Sequence, residues 1–153
     1  MDNTKNTKRF MDKAREVAKT SNCRRRQVGA LIVHSGVEII SATNHTPTGM
    51  TSCKDDGCQR CLSDTPSGES YDSCVCIHAE QSAIAQAAQM GLSTQSATMY
   101  STLRPCLTCA NLCLHAGVLN IIYDEHIQFT PNVEEVYRKL VQSTDLEIHR
   151  YQS

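Results

Sequence analysis

Two short motifs combine the residue types that bind zinc. The first is H-A-E, with His78 and Glu80, and the second is P-C-L-T-C, with Cys106 and Cys109. One imidazole and two thiolates supply three ligands to a tetrahedral zinc ion and leave the fourth position for water. Bound zinc lowers the pKa of that water to about 7, so that hydroxide exists at neutral pH. The motifs therefore predict a catalytic zinc held by His78, Cys106 and Cys109.

Glu80 is the predicted catalytic residue, because it follows His78 closely enough to reach the same water. Its carboxylate can take the water proton, deliver a proton to a ring nitrogen and then protonate departing ammonia. H-x-E followed by P-C-x-x-C is the signature of zinc deaminases. A C-x-x-C pair alone is more often a structural zinc knuckle, so a non-catalytic zinc-binding module is one alternative. Glu80 distinguishes the two, because a structural site has no use for a carboxylate beside an open metal position.

The chain before these motifs predicts a helix, a hairpin and a long loop. Apolar residues recur at helical spacing in 10–18. Two β-branched runs, VGALIVHSG and VEIISAT, are joined by a Ser-Gly turn that is typical of a hairpin. The segment 44–73 is rich in Gly, Ser, Thr, Asp and Pro, which indicates a long irregular segment of the kind that usually has a function.

After His78, predicted helices and strands alternate. The helices are 79–90, a segment between Pro105 and Gly117, and PNVEEVYRKLVQ, and the strands are ATMYSTL, VLNIIYD and LEIHRY. This alternation predicts an α/β fold with parallel pairs in a mixed sheet. Both zinc motifs then lie at helix N-termini, whose positive dipole end favours thiolate over thiol. Cys113 and His115 lie further along the second of these helices and are interpreted as packing residues.

Composition limits the classes of partner and the compartment. The 153 residues fit one domain, 1–153, and a net charge of −1 with mixed signs indicates no nucleic-acid or membrane partner. No segment approaches the roughly 20 apolar residues of a membrane span. The N-terminal segment predicts an amphipathic helix and not a signal peptide. With nine cysteines in an expected cytoplasmic, reducing compartment, metal ligation is favoured over disulfides.

Six of the cysteines precede His78, and most of them lie in one loop. The loop covers about 44–76, and metal binding is predicted to pin it. The six are Cys23, Cys53, Cys58, Cys61, Cys74 and Cys76.

The chain resembles the deoxycytidylate (dCMP) deaminases of the cytidine deaminase superfamily, including phage and fungal members. The resemblance covers nearly the whole chain. It is carried by CRRRQVGALIV, TNHTPTG, the cysteine-rich SCKDDGCQRC with CVCIHAEQSAI, and TMYSTLRPCLTCA.

That resemblance implies a cytidine deaminase-like three-layer α/β/α sandwich around a mixed five-stranded sheet. It implies hydrolysis of dCMP to dUMP and ammonia, which feeds thymidylate synthesis. It also implies a homo-oligomer, commonly a hexamer, with dCTP as activator, dTTP as inhibitor and magnesium accompanying the nucleotide effector. A viral member would act in the host cell cytoplasm. The alternatives are a deaminase of another cytosine nucleotide or nucleoside, including dCTP, or of tRNA.

The resemblance also assigns further site residues. For a second, structural zinc it implies Cys23, Cys53 and Cys76, with Cys61 favoured over Cys58 as the fourth ligand, while other sets of four and even two zinc ions stay open. The implied substrate-binding residues are Arg26, Asn44, Ala79, Ser101, Thr102 and Arg104, with Arg26 the first candidate for the 5′-phosphate. The implied effector-binding residues are Arg26, Gln27, Gly29, His45, Thr46 and Gly49.

Three residues depart from the family pattern. His45 stands where these enzymes usually have glycine in the Asn-Gly-x-Pro-x-Gly loop. Ser82 stands where they have asparagine in His-Ala-Glu-x-Asn, and Arg104 precedes Pro105 where small or neutral residues are usual. His45 adds bulk and a titratable group to the expected effector loop, and Arg104 can bind a phosphate in a bidentate manner.

Overall fold

The computed structural model describes residues 3–152. Its five helices are α1 (Asn3–Ala18), α2 (Gln59–Leu62), α3 (Ala79–Gln89), α4 (Leu107–His115) and α5 (Pro131–Gln142). Its five strands are β1 (Gly29–His34), β2 (Val37–Thr43), β3 (Thr98–Leu103), β4 (Asn120–Glu125) and β5 (Glu147–Arg150). Every predicted helix and strand is confirmed. The segment 44–73 is less irregular than predicted, because it contains α2 and two short 3₁₀ turns.

The five strands form one mixed sheet in the order β2-β1-β3-β4-β5. Strand β1 is antiparallel to both of its neighbours, β2 and β3. Strands β3, β4 and β5 run parallel to one another, with α4 and α5 as the connections between them. Since parallel neighbours need a crossover and not a tight turn, this half of the sheet explains the alternation of helices and strands in the sequence.

Strand β1 is buried on both faces, which requires helices on both sides of the sheet. Leu31 and Val33 contact the cluster that contains Phe10 and Met11 of α1. Ala30 and Ile32 point to the opposite face, as the twofold periodicity of a strand requires. A side chain at Gly29 would collide with the carbonyl oxygen of Ala14, so glycine permits α1 to approach the sheet.

Helices α3, α4 and α5 cover the other face of the sheet. Ala79, Ala83 and Ala87 line the buried side of α3, and these small side chains let the helix lie close to β1 and β2. Met99 and Ile121 are fully buried beneath these helices, and each contributes about 1.5–3 kcal/mol by its removal from water. The predicted three-layer α/β/α sandwich with a mixed five-stranded sheet is confirmed.

The starts of α3 and α4 place the two zinc motifs. His78 is the residue before α3, and its backbone N–H donates to the Gln81 side chain at 3.0 Å in a capping box. Cys106 is the residue before α4. Pro105 therefore lies just outside the helix, and its carbonyl oxygen accepts a hydrogen bond from Tyr137 Oη.

Within residues 3–152, no helix combines the length and apolar character that crossing a membrane requires.

Candidate active site

The structure brings His78, Cys106 and Cys109 together. The Nδ1 atom of His78 lies 3.3 Å from the Sγ atom of Cys109 and 3.5 Å from that of Cys106. All three donor atoms fall within 4.8 Å of one another. Because Cys109 follows Cys106 by one helical turn, the start of α4 presents both sulfurs on one side. One nitrogen and two sulfurs are a donor set that suits a tetrahedral zinc with one position open for water.

The environment of these residues favours a thiolate at Cys106. The Cys109 thiol donates to Cys106, and this hydrogen bond, together with that from His78, lowers the pKa of Cys106 to about 4. The pKa of Cys109 is raised by the same hydrogen bond, because the bond is lost when Cys109 ionises. Contact with Cys106 raises the pKa of His78. One of the two sulfurs is thus already prepared to bind a cation.

Glu80 is buried within the first turn of α3, with 4% of its surface exposed. Its Oε1 atom accepts a hydrogen bond of 2.7 Å from the hydroxyl of Ser101, which is fully buried on β3. Burial raises the pKa of Glu80, and the hydrogen bond from Ser101 opposes that effect. A carboxyl group whose pKa is raised in this way is better suited to hold a proton and pass it on during the reaction.

One cavity of about 290 Å³ contains the metal-binding and acidic residues. His78, Glu80 and Cys106 line it. The other side chains of the cavity wall fall into two classes. The cationic ones are Arg25, Arg26, Arg60 and Arg104, and the apolar and aromatic ones include Tyr71, Leu103, Ile127 and Phe129. The cavity is therefore suited to a small ligand that has both a flat apolar part and a negative charge.

Comparison with known proteins agrees with this geometry. The family model described as the cytidine and deoxycytidylate deaminase zinc-binding region matches residues 4–125. The chain belongs to this family. The deoxycytidylate deaminase of Mycobacterium phage D29 is 34% identical over 74% of this chain and 90% of its own length. That of Schizosaccharomyces pombe is 33% identical over 93% of this chain, although the chain spans only 42% of the yeast protein.

A solved structure of the same family has the same fold. The dCMP deaminase of cyanophage S-TIM5, crystallised in complex with dCMP and dUMP, superposes with a TM-score of 0.72. It is 26% identical, and the match covers 94% of this chain and 95% of the cyanophage chain. The cytidine deaminase-like fold expected from the sequence is confirmed.

Four of the six expected substrate residues, Arg26, Asn44, Ala79 and Arg104, line the cavity, whereas Ser101 and Thr102 do not. Arg26 is exposed and lines the cavity. The amide of Asn44 is occupied within the chain, because its Oδ1 accepts from Val28 N–H at 2.8 Å and its Nδ2 donates to Arg26 O at 2.7 Å. Thr102 Oγ1 accepts from the N–H of Gly29 at 3.1 Å. Asn44 and Thr102 thus hold the start of β1 in place.

Arg104 is bound to Glu134 of α5. Its two terminal nitrogens lie 2.7 and 3.0 Å from the two carboxylate oxygens, which is a bidentate pair. Its guanidinium carbon also lies 5.0 Å from the ring centre of Phe129 and 4.5 Å from that of Tyr137. The bidentate contact expected with a phosphate is therefore made with a carboxylate, which leaves Arg26 as the stronger phosphate candidate.

The expected effector residues do not form one open surface. Thr46 is buried, and its N–H donates to Asn22 Oδ1 at 3.2 Å, so this N–H is not free for a phosphate. Gly29 has a packing role under α1. Gln27 and Gly49 are exposed, and Gly49 has φ +92°, a conformation that favours glycine.

His45 and Ser82, two of the residues that differ from the family pattern, contact each other. His45 Nδ1 donates to the carbonyl oxygen of Thr46 at 2.7 Å, so the proton of a neutral ring lies on Nδ1. His45 Nε2 then accepts from Ser82 Oγ at 3.2 Å, and Ser82 Oγ accepts from Gln86 at 3.1 Å. The imidazole of His45 therefore joins the 44–49 loop to α3, a contact that sequence reasoning missed.

Sequence reasoning also missed Arg60 and Tyr71. Tyr71 is edge-on to His78, with ring centres 5.9 Å apart, and Arg60 lies 4.6 Å above the Tyr71 ring. Arg60 is buried and donates to the carbonyl oxygens of Pro66 and Glu69. Both residues lie in the long loop, where no periodicity predicts a position. A buried arginine next to a cavity is detectable only from the structure.

The expected ligands of the second zinc also come together. The sulfurs of Cys23, Cys53, Cys61 and Cys76 lie within 4.8 Å of one another, and all four residues are buried. Four thiolates without an open position are the donor set of a structural zinc. The set joins the end of α1, the long loop and the residues just before His78.

Proposed function

We propose that this chain hydrolyses dCMP to dUMP and ammonia. The observation that carries the proposal is the meeting of three metal donors, a buried carboxylate and cationic side chains in one cavity. The phage and yeast relatives that bear the name deoxycytidylate deaminase support the choice of substrate.

His78, Cys106 and Cys109 would hold the zinc, which when bound supplies an activated water for attack on the amine-bearing carbon of cytosine. Glu80 takes the proton of this water and delivers it to the ring nitrogen N3. It then takes the remaining proton of the hydroxyl group added at that carbon and gives it to the amine, which leaves as ammonia while the carbonyl group of uracil forms, so the carboxyl group ends the cycle as it began. Ser101 orients Glu80 by fixing Oε1. Ala79 is fully buried and lines the cavity next to His78 and Glu80.

We place the substrate phosphate at Arg26 and the base beside His78. Arg26 lines the cavity and is exposed, so its guanidinium can reach a charged group at the cavity mouth. The aromatic and aliphatic side chains of Tyr71, Leu103 and Phe129 supply apolar surface for a planar base.

Ammonia release from dCMP, deoxycytidine, CMP and dCTP tests this function. We expect dCMP to be turned over with the highest kcat/KM and deoxycytidine to lose at least about tenfold, because a hydrogen bond to a charged group contributes about 1.5–3 kcal/mol. Equal turnover of deoxycytidine and dCMP would exclude phosphate recognition. Absence of ammonia from all four, with zinc bound, would exclude a cytosine deaminase of this kind.

We further propose regulation by dCTP and dTTP, with magnesium on the triphosphate, at a site that includes the 44–49 loop of a homo-oligomer. The support is the resemblance of CRRRQVGA and TNHTPTG to the effector-binding segments of the family, together with the exposure of Gln27 and Gly49. Opposite effects of two ligands at one site require that each prefers a different conformation. Inhibition by dTTP that is purely competitive with dCMP would exclude this site.

We also propose that Cys23, Cys53, Cys61 and Cys76 bind a structural zinc. Their burial and mutual distances support it. Structural zinc contributes about 10–16 kcal/mol in small zinc-finger peptides, enough to hold a loop of low regularity. Protein that is active with only one zinc per chain would exclude this second metal.

A further inference from the structure

The six cysteines that precede His78 pack together in one cluster. The four expected zinc ligands are therefore not separate from Cys58 and Cys74. A second set of four, Cys58, Cys61, Cys74 and Cys76, also has all its sulfurs within 4.8 Å of one another. This set shares Cys61 and Cys76 with the first one. Both sets of four are therefore complete only if two of the sulfurs serve two metals at once.

The number of sulfurs agrees with such sharing. Two separate four-coordinate zinc sites need eight thiolates, whereas two tetrahedra that share an edge need six. We propose that this cluster binds two zinc ions, with Cys61 and Cys76 as bridging ligands, Cys23 and Cys53 as terminal ligands of one ion, and Cys58 and Cys74 as terminal ligands of the other. The inference goes beyond the single structural zinc proposed above and does not depend on the substrate.

A backbone hydrogen bond supports metal binding at the first set. The N–H of Arg24 points to the sulfur of Cys53 at 3.5 Å. A donor of this kind stabilises a thiolate and orients a metal ligand.

The position of Cys58 is the strongest sign of a second ion. Its side chain is fully buried, and its sulfur lies 3.8 Å from that of Cys74. With a single zinc on the first set, Cys58 and Cys74 would be two unused thiols beside a thiolate-rich site. The competing explanation is a disulfide between them, which thiol counting distinguishes from metal binding.

A nearby cationic group suits the charge of such a cluster. Six thiolates and two divalent ions leave an excess of two negative charges. Arg25 donates from Nε to the carbonyl oxygen of Cys61 at 3.1 Å, and it also contacts the carbonyl oxygens of Ser63 and Thr65. Its guanidinium group therefore lies beside one of the two bridging residues and reduces the cost of the excess charge.

Metal analysis of the purified full chain tests the proposal. We expect about three zinc ions per chain, one in the active site and two in the cluster. The double variant Cys58→Ala/Cys74→Ala should retain about two, and Cys106→Ala should also lose one, but from the active site. Cys113→Ala is the matched control, because Cys113 is a fully buried cysteine outside all three donor groups, and it should retain all three.

Cadmium NMR of the unaltered chain provides a test that does not depend on the folding of variants. Two cadmium ions that share thiolate ligands should give two resonances that are spin-coupled to each other through the bridging sulfurs, in addition to the active-site signal. A parent protein with two metals per chain, an uncoupled pair of cluster resonances, or a Cys58–Cys74 disulfide in freshly purified protein would overturn the inference. None of these measurements uses activity on dCMP, so a failure of the two-zinc proposal is distinguishable from a failure of the proposed function.

Discussion

Replacing Glu80 by glutamine separates proton transfer from metal binding and folding. The amide has the shape of the carboxylate, and Ser101 Oγ can still donate to its Oε1 atom, at the position where the parent bond is 2.7 Å long. None of the three metal donors changes. The loss is therefore limited to acid–base catalysis, which contributes about 10²–10⁴-fold. At about 1.36 kcal/mol per tenfold, this loss corresponds to roughly 2.7–5.4 kcal/mol in the activation free energy.

The Glu80→Gln replacement should leave the stability of the fold unchanged or raise it, although it lowers activity. Burial raises the pKa of Glu80, which means that the ionised carboxylate is disfavoured at its site. A neutral amide removes that penalty, so we expect the free energy of unfolding to stay within about 1 kcal/mol of the parent or to rise. A variant that is slow but as stable as the parent is the result expected for a catalytic and not a structural residue.

The assay combines ammonia release from dCMP with metal content and thermal unfolding of the same preparation. Glu69→Gln is the control for charge, because Glu69 is an exposed carboxylate in the long loop, and its activity should equal that of the parent. The reasoning is refuted if Glu80→Gln keeps more than about a hundredth of the parent kcat. It is also refuted if the variant loses its active-site metal, because Glu80 would then be a ligand.

Three further predictions concern Arg26, Glu134 and His45. Arg26→Gln should raise KM for dCMP roughly 10- to 100-fold and leave turnover of deoxycytidine within about twofold, since only the nucleotide has the phosphate; equal effects on both would contradict the assignment. Glu134→Gln should lower the free energy of unfolding at pH 7 by about 1–3 kcal/mol, as measured in urea, because a mostly buried bidentate partner of Arg104 is lost. The hydrogen bond from Arg104 lowers the pKa of Glu134, so this stabilisation is complete above the unfolded pKa of 4.5 and disappears as the pH falls through the lower folded pKa. If the parent and Glu134→Gln differ in free energy of unfolding by the same amount at acidic pH as at pH 7, this prediction is wrong. His45→Gly should change inhibition by dTTP about 5- to 150-fold and leave uninhibited turnover of dCMP nearly intact, and an unchanged dTTP titration would contradict a regulatory role for this loop.

The parts of the fold that depend on local sequence were predictable. Helix α3 follows from its alanine-rich sequence, α4 follows from the flanking Pro105 and Gly117, and the ligand spacing in each motif follows from helical geometry. Because His78 and Cys106 precede these two helices, the prediction that they meet needed only the packing of α3 beside α4 on one sheet face. The family resemblance supplied that packing.

Contacts between distant residues were not predictable from the sequence. Glu134 lies 30 residues from Arg104, and nothing in the local pattern of α5 distinguishes it from the neighbouring exposed Glu135. The long loop was harder still, because its conformation depends on buried cysteines and on arginine contacts to backbone carbonyl groups. Hydrophobic periodicity carries no information about either.

Ile77, the residue between Cys76 of the cysteine cluster and the metal-binding His78, connects the three proposed sites. Ile77 pairs with His45 in an isolated bridge, with its N–H donating to His45 O at 2.9 Å and its carbonyl oxygen accepting from His45 N–H at 3.3 Å. Cys76, one residue earlier, belongs to the cluster, and His78, one residue later, is the expected zinc ligand. A ligand that moved the 44–49 loop would therefore act on backbone that is tied at one end to metal-binding thiols and at the other to the active site. If the cluster is rigid, the displacement must be taken up on the His78 side, which gives an effector a physical route to the reacting water.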